Sequence, residues 1–104
     1  MSFKFEQLKI WPRAMDLGVE INRLTLTFPD REKFNLSSQM LRAIDSVVLN
    51  ISEGSIGQSN PEFRRFIGYS RSLAEVVTCL YKARRREYIK QEQCNAVYDA
   101  SFNF

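Results

Sequence analysis

This chain of 104 residues has no histidine, so it lacks the side chain most often used for proton transfer near neutral pH and for holding zinc. Its two cysteines, Cys79 and Cys94, have no partner at CxxC spacing, which leaves a metal centre or a dithiol redox pair without ligands. Glycine is scarce, at four residues, and no Gly-rich phosphate loop can be assembled from them. No run approaches the roughly 18 to 20 apolar residues of a membrane span. The start, Met1-Ser2-Phe3-Lys4-Phe5-Glu6, lacks the charged-then-apolar layout of a secretory signal. The expected compartment is therefore the cytoplasm, with both cysteines as thiols and no membrane contact. Without histidine, catalysis would fall to carboxylates. Glu53 and Glu75 are the two in apolar or small-residue surroundings, yet nothing sets them against a nucleophile, so the expectation is a non-enzyme with no cofactor and no metal.

What is present suits one small helical domain spanning residues 1–104. Hydrophobic residues make up 44% and charged residues 26%, enough for a modest core. Apolar positions recur at helical rather than strand spacing. A first helix is expected over 6–27, stopped by Phe28-Pro29-Asp30 because proline disfavours helical geometry in the residue before it. A second spans 35–54, capped by Asn35 or Ser37 and closed at Gly54. Asn60-Pro61-Glu62 reads as N-cap, first-turn proline and acidic first turn of a third helix running to 86. A short fourth helix follows from 90. The fold class is all-α, an antiparallel up-and-down four-helix bundle.

Two helices carry surfaces that a simple bundle would not need. On the second, Gln39, Arg42, Ser46, Asn50 and Glu53 fall within an arc of about 80°, opposite Leu36, Met40, Ile44, Val47, Val48 and Ile51. This polar spine is either a solvated face or a contact between helices or subunits. On the first, Ile10, Ala14, Leu17, Ile21 and Leu24 form one apolar arc. Leu8, Trp11, Met15, Val19 and Leu26 extend it, leaving Lys9, Arg13, Asp16, Glu20 and Arg23 as the solvated strip. So wide an apolar surface is either wrapped within one bundle or buried against another copy, with Trp11 and Met15 as interface candidates.

Charge is concentrated on the third helix. Between residues 61 and 90, eight basic side chains face three acidic ones, whereas residues 1–60 are balanced at seven of each. Arg64, Arg71, Lys82 and Arg85 share an arc opposite Phe66, Tyr69, Leu73, Val77 and Leu80. With Arg65, Arg84 and Arg86 they are the candidates for phosphate contacts, since guanidinium groups bind phosphates bidentately. The bland alternative is a solvated face, with Arg84-Arg85-Arg86 serving the helix dipole. No RNP, KH or helix-turn-helix pattern accompanies them, so sequence-specific reading of bases is unsupported.

The segment Gln39-x-x-Arg42-Ala43-x-x-Ser46-x-x-x-Asn50-Ile51-x-Glu53-Gly54 resembles the four-helix bundle proteins encoded in intervening sequences of bacterial 23S ribosomal RNA genes. Phe5-x-x-Leu8-x-x-Trp11-x-x-Ala14-x-x-Leu17-x-x-x-Ile21, Phe28-Pro29-x-x-Glu32-x-Phe34-x-Leu36, Glu62-Phe63-x-x-Phe66 and Ser72-Leu73-Ala74-Glu75 continue the likeness over about residues 5–89. The resemblance implies a homo-oligomer, most often a barrel-like homopentamer. Accessory proteins of diversity-generating retroelements look like the same bundle and bind a reverse transcriptase together with nucleic acid. The implied partners are thus further copies of the chain, RNA or DNA, and a reverse transcriptase. Two departures stand out. Ser46-Val47-Val48-Leu49-Asn50 lacks the family's mid-helix proline. Arg71 replaces the glycine usual before Ser72, which would put a long charge where helices pack closely.

Overall fold

In the computed structural model, residues 3–56 and 61–102 are described, with side chains for 3–56 and 68–102. Four helices form within them: α1 (Ile10–Thr25), α2 (Leu36–Gly54), α3 (Pro61–Arg85) and α4 (Gln91–Phe102), with no strand among the described residues. The molecule is a rod of 44 × 25 × 24 Å. α2 packs against both α1 and α3, and the shorter α4 closes on α3 and α1.

α1 begins later than the expected position 6, and Pro12 is the reason. A helix starting at 6 would place Pro12 in its interior, where the missing N–H and the ring clash cost about 3 kcal/mol. Instead Lys4–Gln7 forms a separate 3-10 turn and Leu8 is extended, so Pro12 lies in the first turn of α1, where no N–H donor is required. The other end matches the expectation within two residues. There the Thr25 and Thr27 hydroxyls donate to the Asn22 and Leu24 carbonyls (2.9 and 2.7 Å). Phe28 then turns into the core ahead of Pro29.

Asn35 occupies the N-cap position of α2, but its side chain does not cap. Its amide donates to Glu32 Oε1 (2.9 Å), and the Leu36 N–H approaches the same oxygen at 3.5 Å. α3 starts with Pro61 at its first helical position; the expected cap Asn60 lies outside the described residues. At its far end Glu87 adopts a left-handed φ of 63°. The Tyr88 and Glu87 N–H groups then donate back to the Ala83 and Arg84 carbonyls, both at 3.0 Å. That pairing is a Schellman closure, usually made with glycine.

The core runs the length of the rod through Ala14, Leu17 and Ile21 of α1, Met40, Ile44, Val47 and Ile51 of α2, Val76, Leu80 and Ala83 of α3, and Cys94 and Val97 of α4. Both cysteines are buried free thiols, and burial pushes their pKa values up. The buried face of α3 differs from the one expected. Leu80 is fully buried, but Tyr69, Leu73 and Val77 are only half-covered, and Val76, Cys79 and Ala83 take the centre. Small residues cause this rotation. Gly68 and Ser72 let α3 close on Asn50 and Ser46 of α2, which swings the bulky side chains to the α3–α4 flank.

Candidate nucleic-acid interface

The α2 spine divides into two parts. Ser46 and Asn50 are half-buried between helices: Asn50 Nδ2 donates to the Ser46 carbonyl (2.8 Å) and to Ser46 Oγ (3.1 Å), and the Ser72 hydroxyl donates to Ser46 Oγ (2.9 Å). A Cβ placed on Gly68 would lie 2.9 Å from Asn50 Cβ and Oδ1, so α2 and α3 approach closely at this glycine. Arg71, where a close contact was expected, is exposed instead. The rest of the spine opens outward. Gln39 and Arg42 line a groove of about 500 Å³ together with Phe34, Asn35, Ser46, Ser72 and Glu75. Glu53 is exposed one turn beyond Asn50.

Next to this groove runs the basic ridge. Arg71, Lys82 and Arg85 are all exposed, and the helical repeat sets them on one side of α3 over about 20 Å. Glu75 lies among them. Arg84 faces α4, where its Nε donates to Gln91 Oε1 (3.1 Å). Arg86 pairs with Glu32 (2.7 Å). The side chains of Arg64 and Arg65 lie outside the described residues. A cation that already has a carboxylate partner neutralises a phosphate less readily, so the exposed part of the ridge rests on Arg71, Lys82 and Arg85.

The Glu32 cluster has no local sequence signal. Glu32 is 4% exposed, and its Oε2 accepts from the Tyr88 hydroxyl (2.6 Å) and from Arg86. Tyr88 also accepts from Arg31 (3.1 Å), whose guanidinium lies over the ring. The Tyr88 hydrogen bond, followed by those from Arg86, Asn35 and the Leu36 N–H, outweighs the upward push of burial and holds the Glu32 carboxyl at about 2. The cluster ties the α1–α2 connection to the α3–α4 turn. That latch fixes the end of the ridge.

The outer arc of α1 is partly open. Met15, Val19 and Leu26 are 45, 50 and 77% exposed, while Trp11 is half-buried against Phe5, with ring centroids 5.2 Å apart. A separate groove of about 590 Å³, apolar in lining, lies between α3 and α4 against Leu73, Val77, Tyr98 and Phe102. Among the described residues, no cluster of histidine, cysteine or acidic side chains could hold a metal ion, and no helix is long and apolar enough to cross a membrane.

An all-α, four-helix protein is the class these features define. The chain matches the 23S rRNA-intervening sequence protein family over residues 6–102 and belongs to that family. A comparison with curated proteins finds no match.

Proposed function

We propose that this protein is a non-catalytic, cytoplasmic nucleic-acid-binding protein: an antiparallel bundle that assembles with copies of itself and contacts phosphates through α3. The observation that carries this reading is the exposed row of Arg71, Lys82 and Arg85. Family membership favours RNA as the ligand. Each subunit offers few cations, so its attraction is modest, and a closed ring would multiply it through avidity. A homopentamer, as the resemblance implies, would present five such ridges. The open arc of Met15, Val19 and Leu26 beside Trp11 supports burial against a neighbouring copy.

A second reading rests on the α3–α4 apolar groove: a scaffold for a protein partner such as a reverse transcriptase, in which the ridge plays no part. Reversing charge at Arg71, Lys82 and Arg85 discriminates the two. On the first reading the triple variant loses RNA binding while its mass by light scattering is unchanged. On the second, RNA binding is absent from the outset. Trp11→Ala should act oppositely, lowering the mass of the assembly first.

A further inference from the structure

Phe34 stands at the rim of the groove beside the ridge and is 86% exposed. It precedes the N-cap of α2, where an apolar side chain ordinarily staples onto the fourth helical residue; that residue here is Gln39, and the ring has no apolar seat. The Lys33 ammonium lies over the ring, 5.5 Å from its centroid. Phe34 shares the groove with polar side chains of both hydrogen-bonding senses. The Gln39 amide donates and accepts, the Glu75 carboxylate accepts, and Arg42 donates, with its Nε already on the Ser38 carbonyl at 3.4 Å.

An exposed flat ring at the edge of a groove lined with donors and acceptors matches one ligand chemistry closely. A nucleobase has an aromatic face to stack and an edge of alternating donors and acceptors to read. The cations are placed to suit it: Arg71 lies one helical turn before Glu75 and Lys82 two turns after, so a strand leaving the groove meets positive charge on either side. Duplex RNA keeps its bases stacked inside and has no use for Phe34.

We propose that the α2–α3 groove receives one unpaired nucleobase of an RNA strand, stacked on Phe34 and read by Gln39, Arg42 and Glu75, with Arg71 and Lys82 on the flanking phosphates. The site rests on the RNA-binding reading of the ridge. Glu75 sets a preference, because a carboxylate only accepts; guanine presents two adjacent donors, N1–H and N2–H. The test is an anisotropy titration of the full-length protein with a hairpin carrying guanine in its loop and with a blunt duplex of the same stem. Wild type should favour the hairpin. Phe34→Ala should weaken hairpin binding by about tenfold and leave duplex binding unchanged, whereas Arg71→Glu with Lys82→Glu should weaken both. Glu75→Gln should reduce the preference for guanine over uracil in the loop. Unchanged hairpin affinity in Phe34→Ala overturns the proposal, and a fall in assembly mass alongside it would assign the ring to a subunit contact. Failure of wild type to bind either RNA would remove the ridge reading and this site together.

Discussion

The two helical glycines with described surroundings should respond to alanine with opposite signs. Inside a helix, alanine is favoured over glycine by about 1 kcal/mol through backbone entropy alone. At Gly18 nothing opposes that gain, because a new Cβ would meet Ile44 Cγ1 at 3.8 Å, an ordinary van der Waals contact. Gly18→Ala should therefore stabilise by about 1 kcal/mol. At Gly68 the new Cβ would lie 2.9 Å from Asn50 Cβ, an atom fixed to the α2 backbone, and equally close to Asn50 Oδ1. Relief requires α2 and α3 to separate, and overpacking of this kind costs about 1–3 kcal/mol. Set against the propensity gain, the expected net effect is a loss of about 1 kcal/mol. The two variants should thus differ by about 2 kcal/mol, which at this chain length separates their melting temperatures by about 10 °C. Urea and thermal unfolding followed by circular dichroism at one fixed protein concentration provides the assay, since self-association would make stability concentration-dependent. Asn50→Ala in the Gly68→Ala background removes two of the three close contacts, so the pair should be non-additive by at least about 0.5 kcal/mol. Stabilisation by Gly68→Ala equal to that by Gly18→Ala would refute the close approach of α2 and α3.

The Glu32 latch makes a pH prediction. Its folded-state pKa of about 2 lies below the ordinary 4.5, so its contribution is fully present above about 4.5 and is lost as pH falls toward 2; acid titration of stability should show that slope, and Glu32→Gln should flatten it. Met40→Ala opens a hole in a fully buried position and should cost about 2–5 kcal/mol in chemical unfolding. Glu87→Gly relieves a left-handed non-glycine residue at the α3 C-terminus and should raise stability by a few tenths to about 1 kcal/mol, read as a higher urea midpoint. Cys79 and Cys94, both buried with raised pKa values, should react with a thiol reagent in native buffer far more slowly than in urea; rapid native labelling would contradict their place in the core.

The elements legible in the sequence are those with local causes. The polar cap position at Asn35 and the glycine at Gly54 mark the limits of α2, Pro61 marks the start of α3, and the apolar arc of Ala14, Leu17, Ile21 and Leu24 on α1 is the one buried. Pro12 was an equally local signal for the start of α1, readable from its missing N–H. Other features depend on partners distant in sequence. The Glu32 pairing with Arg86 spans 54 positions, and no periodicity anticipates it. The rotation of α3 follows from fitting Gly68 and Ser72 against Asn50 and Ser46, which a helical wheel of α3 alone cannot contain. The spine was visible, but its division into an interhelical half and an open half came from the same fit. Phe34 read as one more apolar residue of a family pattern. Its exposure takes meaning from Gln39 at the staple position and from Glu75, 41 residues away in sequence, lining the same groove.

The most direct test of the phosphate-contacting ridge is an anisotropy titration of a structured RNA with the purified wild-type protein at low and near-physiological salt. If Arg71, Lys82 and Arg85 contact phosphates they release counterions, so binding should be measurable at low salt and fall steeply as salt rises, with a shallower slope when those residues are neutralised. Absence of binding at low salt, or binding indifferent to salt, would contradict the account and direct attention to the apolar faces of α1 and of the α3–α4 groove.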